Sequence, residues 1–302
     1  MIVIDEKAKC TGCHACVAVC PQDCIDMEID PEGFWYPSAD QNKCILCGRC
    51  DTVCPVINRT EADNEPIAYA CVNQDEAIRM ESSSGGIFSL IAGQVIDRKG
   101  VVFGAGFNED FSVSHRCAET KDELVQFRGS KYVQSRIGDA YRRAKDFLDA
   151  GREVLFSGTP CQTAGLQSYL GGAYDHLLCV DIICHGVPSP KVWDKYVEYR
   201  EDSAGAKAQT ISFRSKIKGW KKFSMSFLYG DHTHYHRTLD KDPFLQAFLK
   251  NICLRPSCHE CAFKSLHRQS DITLGDFWGV QGILPEMDDD KGVSLIFINS
   301  AS

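Results

Sequence analysis

Short apolar runs separated by polar, turn-rich segments set the rhythm of the chain. IDMEID at residues 25–30 alternates apolar and acidic side chains, as a half-exposed strand does. NRTEADNEP, from Asn58 to Pro66, is polar and turn-rich and marks a boundary. Beyond it, IAYACV from Ile67 predicts a strand, SSSGG opens a helix through IFSLIAGQVIDRKG with serine as its N-cap, and VVFGAGF from Val101 predicts a further strand. The theme then repeats, with a helix through DAYRRAKDFLDAG from Asp139, a strand at EVLFS, a helix after GTPCQ and a buried strand at LLCVDIIC. From Gln209 the texture changes to hairpins, ISFRSK, FSMSFLYG and HTHYHR, followed by a helix near Pro243 and the strands DITLG and GVSLIFIN. This alternation predicts a mixed α/β body with an antiparallel addition. The last strand is followed by only a few residues, so the natural protein is expected to continue past Ser302.

A length of 302 residues suggests about two domains. No run approaches the roughly 18 apolar residues of a membrane-spanning helix, so no membrane span is expected. With 17 cysteines and no apolar signal segment after Met1, the reading is a soluble protein of a reducing compartment, the cytoplasm. The net charge of −8 argues against nucleic acid, because neutralising phosphates needs a cationic face. The charge is uneven. Residues 1–58 hold nine carboxylates against Lys7, Lys9, Lys43 and Arg49, a net of −5, which either steers a basic redox partner to that end or merely keeps it soluble.

The chemistry lies in the cysteines. Two runs read CxxCxxCxxxCP: Cys10, Cys13, Cys16 and Cys20 before Pro21, then Cys44, Cys47, Cys50 and Cys54 before Pro55, at a period of 34 residues. The repeat announces a duplicated unit. Zinc sites take their ligands in two spaced pairs, whereas each run here has a third cysteine, and disulfides suit small secreted chains. The runs resemble those of bacterial-type two-cluster ferredoxins, in which the fourth cysteine of each run ligates the other cluster. That likeness implies one [4Fe-4S] centre on Cys10, Cys13, Cys16 and Cys54, and another on Cys44, Cys47, Cys50 and Cys20. Three thiolates on one turn can hold three irons of a cubane, and the fourth must arrive from elsewhere.

Nine cysteines remain: Cys24, Cys71, Cys117, Cys161, Cys179, Cys184, Cys253, Cys258 and Cys261. Cys258 and Cys261 form a CxxC, which alone suits zinc or a redox pair. A third [4Fe-4S] centre on Cys161, Cys184, Cys258 and Cys261 fits better in a chain already committed to clusters, with Cys253 in reserve. Cys24, Cys71, Cys117 and Cys179 are expected to pack as small core residues.

Together with the ferredoxin pair, SSSGGIFS, GSKYVQS, FSGTPCQTAGL, CHGVPSP, FRSKIKGW, LRPSCHECAFK and DITLGDFWG resemble the coenzyme F420 hydrogenase/dehydrogenase beta-subunit family. The resemblance runs through nearly the whole chain. It implies an α+β protein: a bacterial-type 2×[4Fe-4S] ferredoxin domain at 1–58, a linker at 59–66, and a mixed α/β domain at 67–302 that binds FAD and a cluster. It also implies Cys161, Cys184, Cys258 and Cys261 as third-cluster ligands. As flavin contacts it implies Ser82, Ser83, Ser84, Gly85 and Gly86 with Gly129, Ser130, Lys131, Tyr132 and Ser135. A Ser/Gly-rich turn opening a helix offers N–H groups to a pyrophosphate, Lys131 offers a counter-charge and Tyr132 a ring to stack, although SSSGG also reads simply as a capped helix. GAGFNE at Gly104 lacks the third glycine of a dinucleotide fingerprint.

Two stretches invite other chemistry. Arg214, Lys216, Lys218, Lys221 and Lys222 around Trp220 suit either an anionic ligand tail or a solvated hairpin. His232, His234 and His236 alternate on a predicted strand, where an exposed face is the plainer reading than a metal site. The expected function is an FAD-dependent, multi-cluster oxidoreductase that exchanges a hydride with a soluble small molecule such as coenzyme F420, and single electrons with a ferredoxin-like or catalytic partner protein. The alternative is a non-catalytic electron-transfer subunit of a larger complex. A cluster-bearing sensor is weaker, since no DNA-binding pattern is present.

Overall fold

The two cysteine runs wind the backbone in the same way. In the computed structural model, which describes residues 1–300, helix α1 (Ala15–Val19) follows the first run's opening turn; the hairpin β1 (Ile25–Ile29) and β2 (Trp35–Ala39) comes next, and α2 (Arg49–Thr52) follows the opening turn of the second run. Gly12 and His14 have φ of 68° and 65°, and their equivalents 34 residues on, Leu46 and Gly48, have 54° and 72°. Left-handed conformations at non-glycine residues are costly, and their recurrence at matching positions marks a turn that both runs must make.

The body begins with β3 (Ile67–Cys71), α3 (Glu76–Glu81), α4 (Ile87–Asp97), β4 (Val101–Phe107) and β5 (Val113–Ala118). Next come α5 (Ala140–Asp149), β6 (Val154–Ser157), α6 (Pro160–Leu170), β7 (Leu177–Ile182) and α7 (Pro190–Ala204). The chain closes with β8 (Ala208–Ser215), β9 (Ser224–Tyr229), β10 (His234–Thr238), α8 (Pro243–Leu249), α9 (Pro256–His259), β11 (Ile272–Asp276) and β12 (Ser294–Ile298). Seven strands form one sheet in the order β3-β12-β11-β7-β6-β4-β5. Its centre, β4, β6, β7 and β11, is parallel, with antiparallel strands on both flanks. Parallel strands are buried on both faces, which is why they read as unbroken apolar runs.

One face, with Val101, Phe103, Val154, Phe156 and Cys179, is covered by α5 and α6. The other, with Val102, Leu155 and Val180, is covered by α4 through Ala92 and Val95. The ferredoxin-like segment does not stand apart: Cys13, Ala15, Ala18 and Val53 belong to the same core as α5 and α6. Arg142 on α5 fastens it further, donating to the carbonyls of Val17 and Ala18 and pairing with Asp23 at 2.5 Å. Segment 59–66 has no helix or strand but is tied down, since Asn64 donates to the carbonyls of Arg268 and Asn299, each at 2.9 Å. The three-stranded sheet β10-β9-β8 packs with α7 and α8 around Trp193, Phe213, Phe227 and Phe244.

Several local expectations change. Helices α3 and α7 are not among the elements that the pattern predicts. The N-cap of α4 is Gly86 at φ 81° rather than a serine, because the preceding serines bond elsewhere. His232 sits in the turn before β10 at φ 66°, so the three histidines do not share one strand face. Among the described residues no helix is long and apolar enough to cross a membrane.

Candidate functional site

All 17 cysteines are free thiols, and twelve of them gather in three groups. Cys10, Cys13, Cys16 and Cys54 lie within electrostatic reach of one another. Cys20, Cys44, Cys47 and Cys50 line one small cavity together with Cys24, whose Sγ stands 3.4 Å from that of Cys20. Cys161, Cys184, Cys258 and Cys261 form the third group, beyond the carboxyl ends of β6 and β7. Ligands in open α/β sheets sit at that end. Each of the first two groups thus takes three cysteines from one run and the fourth from the other.

Local structure aims N–H groups at these sulfurs. Ile2 N–H donates to Cys50 Sγ at 3.2 Å, Cys24 N–H to Cys20 Sγ at 3.5 Å, and Val187 N–H to Cys258 Sγ at 3.4 Å. Backbone amides of Gly12, Ala15, Val17 and Gly186 face Cys10, Cys13, Cys16 and Cys184 in the same sense. Cys161 lies in the first turn of α6, not in the turn before it. Pro160 starts that helix, and the capping box between Thr159 and Gln162 fixes it. Thr159 Oγ1 is 3.1 Å from Cys161 Sγ. A helix N-terminus favours a thiolate, but burial works the other way, pushing Cys16 and Cys161 up to about 12 and Cys13 and Cys184 well above the ordinary thiol value. Such thiols keep their protons until a metal displaces them.

Among the described residues, no three His, Cys, Asp or Glu side chains converge on a position for a single ion. The second group instead lines a small cavity, and a cubane needs its thiols spread in this way because each thiolate binds a different iron. Four thiols with backbone amides facing them are the donor set of a cluster, and all three groups fit one. Cys253 is not in any group; its carbonyl accepts from Ser189 N–H. Cys179 packs in the core, while Cys117 Sγ accepts from Arg143 at 2.8 Å. Cys24 is buried, as expected, but it also shares the second cavity. His185 packs its ring on Phe248 and pairs Nε2 with Asn251 Oδ1 at 2.6 Å.

Arg255 stands between the first and third groups. It is fully buried, with 0% of its surface exposed, and although it lies within LRPSCHECAFK it has no role assigned from sequence. Its guanidinium donates to the carbonyls of Cys10 (2.8 Å) and Trp35 (2.9 Å) and to Gln134 Oε1 (3.2 Å), and lies 4.2 Å from the Tyr36 ring centre. Its charge lowers the pKa of Cys10, Cys161 and Cys258 against the effect of burial.

The two segments expected to contact flavin do meet. Ser83 Oγ accepts from Ser130 N–H at 2.6 Å and bonds Ser130 Oγ at 2.9 Å. Ser82 donates to Ile78 O and Ser84 to Val293 O, while Gly85 lies so close to β3 and β12 that a Cβ would meet Cys71 O at 2.5 Å. Gly86 opens α4, and Gly129, at φ 75°, has open space where a Cβ would be. Lys131 does not supply a free counter-charge: Nζ donates to the carbonyls of Gln126 and Arg128, and burial pushes its pKa down to about 7. Tyr132 stacks on Phe248 at 4.4 Å and accepts from Arg214.

The nearby cations are instead Arg79, Arg214 and Lys216, and burial pushes the Lys216 pKa down to about 7 as well. Arg79 is paired with Asp289 and Arg214 with Asp276, while Lys216 donates only to the carbonyls of Arg79, Ser84 and Lys291. Arg214, Lys216 and Trp220 are therefore buried rather than a solvated hairpin. Trp220 stacks on Trp278 at 4.3 Å. A turn with an open glycine and a helix opening beside it fits the pyrophosphate of FAD through its N–H groups. Ser135 links this segment to the third group: its Oγ bonds His115 Nδ1 at 2.8 Å, and its carbonyl accepts from Gln162 Nε2, next to Cys161, at 3.3 Å.

A mixed α/β sheet with cysteines at its strand ends and a duplicated cysteine module packed into its core defines an iron–sulfur protein of the oxidoreductase type. Residues 9–58 match the 4Fe-4S dicluster domain, and this part carries two iron–sulfur clusters. Residues 151–302, half of the chain, match the C-terminal part of the coenzyme F420 hydrogenase/dehydrogenase beta subunit, and the chain belongs to that family. It is 24% identical over 201 residues to the F subunit of F(420)H(2) dehydrogenase from Methanosarcina mazei, covering 61% of this chain and 56% of that one. NADH-quinone oxidoreductase subunit I 2 of Geobacter metallireducens is 42% identical over 59 residues, 18% of this chain and 45% of that one. The chain thus spans about half the length of these relatives. Its fold is shared with a chain of the F420-reducing [NiFe] hydrogenase complex from Methanosarcina barkeri, at TM-score 0.51 and 16% identity over 80% of this chain and 76% of that one.

Proposed function

We propose that this protein is an FAD-dependent, three-cluster oxidoreductase that exchanges a hydride with a soluble cofactor, coenzyme F420 or one like it, and single electrons with a ferredoxin or partner subunit. One observation carries the reading. The first turn of α6 bonds Ser135 through Gln162, and one turn later the same helix meets Cys13 at Gly165, so Cys161 lies between the flavin-facing segment and the ferredoxin-like module. When bound, FAD supplies the change between hydride and single-electron chemistry, and [4Fe-4S] centres carry electrons singly.

The chain's own residues hold and shield. Cys10, Cys13, Cys16 and Cys54 would ligate the first centre, Cys20, Cys44, Cys47 and Cys50 the second, and Cys161, Cys184, Cys258 and Cys261 the third. Residues 82–86 with 129, 130, 132 and 135 would contact FAD through backbone N–H groups, hydroxyls and the Tyr132 ring, with Lys131 acting from beneath. Residues 1–58 serve as the electron-exchanging module, 59–66 as its tie, and 67–302 as the flavin- and cluster-binding body, whose last two residues lie outside those described. Cys47 is exposed, with Ile45 and Leu46 exposed beside it, which gives a partner protein an approach to the second group. So many free thiols suit the reducing cytoplasm.

Anaerobic mixing with reduced F420, NADH and NADPH tests the reading. Bleaching of the flavin and cluster absorption by reduced F420 supports it. Bleaching by none of the three, in a protein still reduced by ferredoxin, supports a non-catalytic electron-transfer subunit, which the exposed rim at Cys47 would also serve.

A further inference from the structure

Arg255 is a permanent cation with no exposed surface, and its three hydrogen bonds all end on neutral acceptors, the carbonyls of Cys10 and Trp35 and the amide of Gln134. None of the ion pairs among the described residues includes it. A buried charge without an opposite charge costs several kcal/mol, so the site calls for anions that the protein's carboxylates do not supply. The groups within its electrostatic reach include Cys10 of the first quartet and Cys161 and Cys258 of the third, besides His14 and Tyr36. Its position is also built. A Cβ on Gly12 would stand 3.1 Å from the guanidinium carbon, Gln134 is held by its N–H to Pro188 O, and the Tyr36 ring closes one face.

We infer that Arg255 is the counter-charge shared by the first and third cysteine quartets, a positioning residue that raises the reduction potential of the centre each would hold. The inference rests on the three-centre reading given above. A cysteine-ligated cluster gains negative charge on reduction, and a fixed cation nearby in a water-poor site favours the more negative state. None of the Arg255 side-chain hydrogen bonds reaches the second quartet, at Cys20, Cys44, Cys47 and Cys50, and it serves as the internal control. Because Arg255 also ties the cysteine module to the body through Cys10 and Trp35, the test must separate charge from glue.

The experiment is a potentiometric titration of the anaerobic holoprotein followed by electron paramagnetic resonance, with signals assigned by their loss in Cys44→Ala and Cys161→Ala proteins. Wild type is compared with Arg255→Lys, which keeps the charge and loses the planar fork, and with Arg255→Met, which keeps bulk and loses the charge. In Arg255→Met, two centres should become harder to reduce by about tenfold in their reduced-to-oxidised ratio, 59 mV for a one-electron couple, with the Cys44 centre unmoved. Arg255→Lys should stay close to wild type. If Arg255→Met loses its iron while Arg255→Lys keeps it, charge is still what the site requires. Equal loss in both variants, or equal potentials in all three proteins, overturns the proposal. Iron assay of the wild type separates the underlying reading: about eight irons rather than about twelve would remove the third centre, and the first quartet alone would then decide for or against Arg255.

Discussion

Cys13 packs directly on Gly165: a Cβ on that glycine would stand 3.1 Å from the cysteine Cβ, 3.2 Å from its Sγ and 2.8 Å from the Tyr141 hydroxyl. The ferredoxin-like module and α6 approach this closely because one helical position has no side chain. Gly165→Ala should therefore destabilise the protein. Overpacking costs about 1–3 kcal/mol, which outweighs the roughly 1 kcal/mol that alanine gains over glycine in a helix. Gly93→Ala in α4 is the matched control, because its Cβ would meet only Lys121 Cε at 4.0 Å. Anaerobic melting curves should fall for Gly165→Ala and rise for Gly93→Ala; a rise in both would show that the contact does not constrain the module.

The third quartet predicts a selective loss. Cys161→Ala and Cys258→Ala should each remove about four irons, while Cys253→Ala and Cys71→Ala remove none. Iron and sulfide assays on anaerobically purified proteins decide this. Retention of all iron in the first pair, or loss in the second, would reassign the ligands.

His115 predicts an acid sensitivity. Burial pushes its pKa from the ordinary value down to about 4 while its ring bonds Ser135 and the Ser157 carbonyl, so the folded protein holds it neutral where the unfolded chain would protonate. A depressed folded pKa gives stability that is present above the unfolded value and lost as the pH falls toward 4. Between pH 7 and pH 5 the loss is about 2 kcal/mol. Melting temperatures across that window should fall more steeply for wild type than for His115→Gln; parallel slopes would show that the imidazole is not the group responsible.

Ser83 is the join between the two segments proposed to contact flavin, since its oxygen takes both the N–H and the hydroxyl of Ser130. Ser83→Ala leaves those donors unpartnered at a cost of about 1–3 kcal/mol. The expected outcome is weaker flavin retention on gel filtration with iron content unchanged. Unaltered retention would move the flavin away from this turn.

Much of this was legible in sequence for a physical reason. Strands buried on both faces, such as VVF, VLFS and LLCVDI, read as unbroken apolar runs, and β1, facing water on one side, alternates. Helix α7 carried signals that the hairpin-rich texture around it obscured: Ser189 caps it, Pro190 starts it, and Trp193, Tyr196 and Val197 are buried on one face. The first two cysteine groups are visible through their spacing, and the third only through its context and the family resemblance. Arg255 and Gly165 are not, because their roles arise from Cys10 and Cys13, distant in sequence, and no local pattern encodes a tertiary approach. The SSSGG turn reads in sequence as a serine cap, but its hydroxyls answer to Ser130, Val293 and Ile78 rather than to the helix that follows.

The central claim is that three rings of thiols hold three cubanes in line with a flavin. Anaerobically purified protein, assayed for iron, acid-labile sulfide and flavin, tests it most directly. The account predicts about twelve irons, as many sulfides and one FAD per chain. About eight irons with no flavin would contradict it and leave an electron carrier on a body without redox chemistry.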